Sequence, residues 1–168
     1  IGSLRKMQPL LERLMTTFPD AVRGVEVDTA RNEITARVAA ARIVDVARWL
    51  HDTPEASFDH ITDICSVDYP NDPERFEVVY QLLSLAHRRR IRLKARVTED
   101  APQIASVTGI WKGAEFMERE VYDLMGITFV GHPDLRRILL PEDYEEGHPL
   151  RKDFPTEGRG WRSSFPFI

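Results

Sequence analysis

Leu10, Leu11, Leu14 and Phe18 recur at helical spacing and predict a first helix with one apolar face. Pro9 is expected at its first helical position, where the missing N–H would go unpaired anyway, and Pro19 ends it. Two alternating runs follow. Val25 and Val27 share one face of the first, and Ile34, Ala36 and Val38 one face of the second; Asp28 to Asn32 supply the polar turn of a hairpin. A second helix is predicted over 41–51, with Ile43, Val46, Ala47 and Leu50 on one side. Phe58 to Tyr69 reads as a strand, broken by Pro70-Asn71-Asp72-Pro73. Phe76, Val78, Tyr80 and Leu82 then alternate, as do Ile91, Leu93, Ala95 and Val97. The order helix, two strands, helix, three strands, helix predicts an α+β fold: a mostly antiparallel sheet of about five strands, covered by helices on one side.

The last helix carries more charge. Projecting residues 110–125 at 100° per residue places Ile110, Ala114, Met117, Val121, Leu124 and Met125 on one stripe. Lys112, Glu115, Arg119 and Asp123 fall on the far side, where Glu115–Arg119 and Arg119–Asp123 are expected as solvated i,i+4 pairs. Phe116 projects into that polar face and is the expected partner contact. Gly126 is placed to cap the helix in the left-handed conformation.

Beyond Gly126 both periodicities fade. Yet Ile127, Phe129, Leu135, Ile138, Leu139, Leu140, Leu150, Phe154 and Trp161 are too apolar for a flexible linker. The expected organisation is a core domain over 1–126 and an extended C-terminal arm over 127–168, with little regular structure, lying against another protein.

Composition narrows the classes. With 168 residues, 42% hydrophobic, 30% charged and a formal charge of −4, the chain is long enough to bury its own core and has no global attraction to polyanions. No apolar run is long enough to span a bilayer, and no signal-peptide pattern is visible. The single cysteine, Cys65, excludes an intrachain disulfide or a thiolate cluster from this chain alone, and its strand setting predicts a buried, inert thiol rather than a nucleophile.

Three candidate chemistries arise. His87 to Lys94 concentrates arginine, as phosphate contacts do, but the acidic chain lacks stacking aromatics or a recognition helix. The alternation instead puts Arg90, Arg92, Lys94 and Arg96 on a solvent face that blunts edge pairing, so no nucleic-acid partner is expected. His132, Asp134, Glu142, Asp143 and His148 are competent metal ligands without a compact ligand motif. Glu118, Asp123 and His132 could form an acid–base set, but no nucleophile motif or Gly-rich phosphate cradle accompanies them. The expectation is therefore no catalytic, cofactor-binding or metal residue. Phe116, Glu118, Arg119, Asp123, His132, Arg136, Arg137, His148, Arg151, Lys152 and Asp153 are expected at a subunit interface, where arginine's planar donors suit ion pairs.

Glu118-Arg119-Glu120, two residues, Asp123-Leu124-Met125, six residues, His132, three residues, Arg136, then Ile138 resembles the signature of the complex I 30-kDa subunit family. Leu140-Pro141-Glu142-Asp143-Tyr144 and Gly147-His148-Pro149-Leu150-Arg151-Lys152-Asp153-Phe154-Pro155 continue the likeness, and Asp63-Ile64-Cys65-Ser66-Val67-Asp68-Tyr69 is consistent with it. The resemblance implies a small α+β domain with an extended arm in the peripheral arm of a proton-pumping NADH:quinone oxidoreductase. It implies a non-catalytic scaffold beside the quinone-binding 49-kDa-type subunit and neighbouring iron–sulfur subunits. FMN, iron–sulfur clusters and quinone would then sit in those partners. Membrane association would be indirect, on the cytoplasmic face of a bacterial inner membrane or the matrix face of the mitochondrial one. Related modules serve membrane-bound hydrogenases, formate hydrogenlyases and F420H2 dehydrogenases, so the electron donor is constrained less than the family.

Overall fold

The computed structural model describes residues 2–31 and 33–159. Helix α1 runs from Gly2 to Thr17. Strands β1 (Val22–Asp28) and β2 (Glu33–Val38) form the expected hairpin, and a short 3₁₀ turn, Ala40–Arg42, leads into α2 (Ile43–Asp52). Strands β3 (His60–Asp68), β4 (Phe76–Ser84) and β5 (Arg89–Val97) follow. Strand β6 (Gln103–Ala105), helix α3 (Ala114–Met125) and strand β7 (Thr128–Val130) complete the regular elements. The architecture is α+β, as expected.

The sheet order is β1-β2-β5-β4-β3. Every neighbouring pair is antiparallel except β2 and β5, which run parallel with Ala36 opposite Leu93. Alternation along each strand reveals its buried face but not its neighbour. Strand β5 is therefore central rather than an edge, which corrects the expectation that its cations blunt edge pairing. Those cations lie on the face opposite the core, Arg90 exposed and Arg92, Lys94 and Arg96 half-buried and paired. Arg92 pairs with Glu33 at 3.3 Å, Lys94 and Arg96 reach Glu77 at 2.9 and 3.1 Å, and Arg96 also pairs with Asp72.

The other face carries the core. Ile34, Ala36, Phe76, Val78, Tyr80, Leu82, Ile91, Leu93 and Ala95 meet Leu14 of α1 and Ile43, Val46 and Leu50 of α2, all buried. Helix α1 begins at Gly2, seven residues before Pro9, so Pro9 lies inside it. The ring forfeits one helical hydrogen bond; Met7, Leu10, Leu11 and Leu14, all buried, supply packing on both sides of it. Val27 is exposed despite its pattern, because β1 is the outermost strand. Cys65 is exposed on edge strand β3, which corrects the expectation of a buried thiol. Its pKa is pushed up by partial desolvation and by Asp63, which keeps the group a poorly reactive thiol.

Residues 110–113 precede α3 in turns instead of opening it. Ile110 N–H bonds the Val107 carbonyl, and buried Trp111 donates its indole N–H to the Phe58 carbonyl at 3.0 Å. The chain does not leave the core at Gly126. Ile127 and Phe129 are fully buried, and β7 pairs in parallel with β6, Ile104 opposite Phe129. No described helix is long and apolar enough to cross a membrane.

Candidate functional site

The charged face of α3 is not a solvated face. Glu118, Arg119 and Asp123 are buried, at 0, 7 and 1% exposure. The expected Glu115–Arg119 and Arg119–Asp123 pairs do not form, because Arg119 and Asp123 are taken by backbone of another segment. Arg119 donates Nε to the Arg136 carbonyl at 3.0 Å and Nη2 to the Arg137 carbonyl at 2.9 Å. One oxygen of Asp123 accepts three successive N–H groups, from Ile138, Leu139 and Leu140, at 3.1, 2.8 and 2.8 Å. Glu118 accepts the Val107 N–H at 2.7 Å and the Ser106 hydroxyl at 2.6 Å. Burial pushes the Glu118 carboxyl up, against the pull of those two donors and of His132.

The arm folds back along this helix. His132 Nε2 lies 2.9 Å from the Glu115 carbonyl, which can only accept, so Nε2 carries the proton; Nδ1 then accepts the Asp134 N–H at 3.0 Å. His148 makes the complementary choice, with Nδ1 donating to the Asp123 carbonyl at 3.0 Å. Arg151 donates to the Met125 carbonyl at 2.8 Å, and the Leu150 N–H to the Leu124 carbonyl at 3.1 Å. The terminal carbonyls of α3, orphaned in any helix, are thus capped by residues more than twenty positions downstream. Gly126 takes the expected left-handed conformation at φ 72°, and it has a second reason to lack a side chain. A Cβ there would clash with His148 Nε2 and meet Arg151 at 2.7 Å.

A further anchor lies at the end of β4, built on a residue that the sequence pattern did not single out. Arg75 is 5% exposed and forks onto Asp68, Nε to Oδ1 at 2.8 Å and Nη2 to Oδ2 at 2.9 Å. Its donors also reach Glu99 at 2.6 Å and Asp153 at 3.0 Å. Asp68 also accepts the Lys152 N–H at 2.8 Å, and the Arg151 guanidinium lies 4.8 Å from the Phe76 ring centre. Arg75 holds both Asp68 and Asp153 below the usual carboxylate range. Arg75 stands in a Pro-rich turn among other charges, so nothing in its local pattern marks it as buried.

The expected interface residues therefore separate into two groups. Glu118, Arg119, Asp123, His132, His148 and Arg151 are engaged inside the chain. Phe116, Arg136, Lys152 and Asp153 present exposed side chains; Arg137 is half-buried, 3.7 Å from Asp123 and against Tyr144. Exposed Ile138, Leu139 and Leu150 join them, with Phe116 at 60%. Glu118, Asp123 and His132 are each engaged by a different segment and do not converge on an open cleft. Among the described residues no group of three His, Cys, Asp or Glu could hold a metal ion. Trp161 lies outside the described residues.

Residues 36–160 match the family model described as Respiratory-chain NADH dehydrogenase, 30 Kd subunit. The C-type subunit of the NADH-quinone oxidoreductase of Roseiflexus sp. (strain RS-1) is 51% identical over 146 residues, covering 87% of this chain and 82% of that protein. Its counterpart from Xanthobacter autotrophicus (strain ATCC BAA-1158 / Py2) is 50% identical over 152 residues, or 90% of this chain and 71% of that one. Among solved structures, a trypsin-resistant fragment of Nqo5 superposes with a TM-score of 0.64 at 31% identity, covering 77% of this chain and 99% of the fragment. A chain of the membrane-bound sulfane sulfur reductase, an archaeal respiratory membrane complex, reaches 0.74 at 25% identity, covering 90% of this chain and 86% of its own.

Proposed function

This chain belongs to the respiratory-chain NADH dehydrogenase 30 kDa subunit family, and on that footing we propose that it is a structural subunit in the peripheral arm of an ion-translocating NADH:quinone oxidoreductase. The observation that carries the proposal is 51% identity to the Roseiflexus NADH-quinone oxidoreductase protein across 87% of the chain. The geometry supports a scaffold role. The side chains of Arg119 and Asp123 on α3 are engaged in holding the arm, and the arm in turn presents Ile138, Leu139 and Leu150 outward beside Phe116. Such side chains suit a neighbouring subunit's apolar surface. In this reading the 49-kDa-type quinone-site subunit and adjacent iron–sulfur subunits cover that face. FMN, clusters and quinone reside in them, and attachment to the cytoplasmic (or matrix) face of the membrane is indirect.

Purification of the tagged chain from detergent-solubilised membranes tests it. A flavoprotein that oxidises NADH and a quinone-site subunit should co-purify with NADH:quinone activity; a chain recovered alone overturns the proposal. The likeness to the sulfane sulfur reductase chain supports a second reading, the equivalent subunit of a related membrane-bound respiratory complex. Recovery of a nickel–iron hydrogenase or sulfur-reducing subunit instead of the flavoprotein would select it.

A further inference from the structure

The cations of β5 are neutralised at one end only. At the Val97 end, Glu77 and Asp72 face Lys94 and Arg96, while Arg92, nearer the middle of the strand, pairs with Glu33. At the other end the β4–β5 hairpin closes through Arg88, followed by Arg89 and Arg90, and among the described residues none of the three has an ion-pair partner within 4.0 Å. Arg31, at the neighbouring hairpin tip, is highly exposed and only 3.9 Å from Asp28. Among the described residues, Arg31, Arg88, Arg89, Arg90 and Arg92 line a cavity of about 740 Å³ whose one acidic lining residue is Glu33. In a chain of net charge −4 this is a local reversal of sign.

The turn adds a second observation. Arg88 sits at φ 52°, in the left-handed region where glycine or asparagine is the ordinary choice. A long cation is held where the backbone alone would select a smaller residue. Next to it Leu85 is 60% exposed, and Leu83 also lines the cavity.

We infer that this cavity is a docking site for a short acidic polypeptide segment carrying aliphatic side chains, contributed by a neighbouring protein. Charge complementarity selects an anionic partner. Concavity selects a protruding segment over a flat bilayer. Among the described residues no aromatic side chain lines the cavity to stack a base and no Gly-rich turn cradles a phosphate, which favours a peptide over a nucleic acid or nucleotide. The leucines give the segment's apolar side chains a place to sit. The site is remote from the arm: β4 spans nine residues between Phe76, which Arg151 covers, and Ser84 at the cavity, eight steps or roughly 26 Å. The protein thus offers separate grips at opposite ends of one hairpin, whichever respiratory complex it serves.

The test uses the purified full chain and a fluorescent peptide of alternating Glu and Leu, followed by anisotropy at low and physiological salt. Binding should weaken steeply with salt, and R88E/R90E should weaken it at least about tenfold while the melting temperature holds. Arg88→Asn, which suits the left-handed turn, should also weaken binding without loss of stability, separating charge from folding. Absence of peptide binding overturns the inference. So does binding unchanged in R88E/R90E, or equal binding of single-stranded oligonucleotides or phosphatidylserine vesicles. Complexes assembled with R88E/R90E should keep the subunits that grip the arm, so a failed site and a failed subunit assignment give different results.

Discussion

A single oxygen of Asp123 gathers the N–H groups of Ile138, Leu139 and Leu140 from across fifteen to seventeen residues, with Leu139 at 2.8 Å. A buried carboxylate that organises a loop in this way leaves three stranded donors when removed. Asp123→Ala should cost about 3–5 kcal/mol, the range for breaking a buried charged network. Asp123→Asn keeps an acceptor and should cost about 1–2 kcal/mol. Denaturant unfolding measures both, and hydrogen exchange should show the amides of 138–140 losing protection first.

Gly126→Ala should combine a left-handed penalty of about 1 kcal/mol with displacement of His148 and Arg151 from the helix end. The melting temperature should fall by roughly 4–8 °C for a total of about 2 kcal/mol. Proteolysis should cut the arm beyond His148 while the sheet resists. An unchanged arm would mean that His148 moves aside at little cost.

Arg75→Ala leaves Asp68 buried with only the Lys152 amide to answer it and should destabilise by about 3–5 kcal/mol. Arg75 lowers the pKa of both Asp68 and Asp153, so their contribution is present above the ordinary carboxylate value of 3.8 and disappears as pH falls below it. Acid unfolding followed by circular dichroism should therefore lose its steepest part, at and below that pH, in Arg75→Ala.

His148 responds to milder acid. Its pKa is lowered from 6.5, by burial first, with Arg151 and Arg137 adding repulsion against the pull of its bond to the Asp123 carbonyl. The unfolded ring binds a proton near 6.5 while the folded one stays neutral, so stability declines as pH falls through 6.5 towards the lower folded value. His148→Asn should flatten that decline in melting temperature between pH 7.5 and 6, with buried Glu118 acting in the opposite sense in both proteins.

Phe116→Asp should leave the isolated chain's melting temperature within about 2 °C, as befits a surface position. Recovery of partner subunits in a pull-down should fall several-fold. A large drop in stability would show instead that the ring, 5.8 Å from the Arg119 guanidinium, helps hold that side chain in place.

The helices and the five strands of the main sheet were legible in the sequence, but β6 and β7 were not. Period 3.6 in Leu10–Phe18 and Ile43–Leu50, and period 2 in Phe76–Leu82 and Ile91–Val97, express local geometry and burial, and the structure returns each of them. The family was legible as well, since its signature is carried by residue identities at fixed spacings. Phe116 could be read as exposed because one helix turn is enough to place it.

Tertiary structure decided the rest, because which strand lies beside which, and which charge meets which backbone, depends on segments far apart in sequence. The parallel β2–β5 pair puts β5 in the middle of the sheet, where alternation alone suggested a solvated hairpin. Helical projection assigns Arg119 and Asp123 to solvent, since periodicity counts a charged residue as exposed. The returning arm buries them, and their burial is tolerated because backbone C=O and N–H groups answer each one.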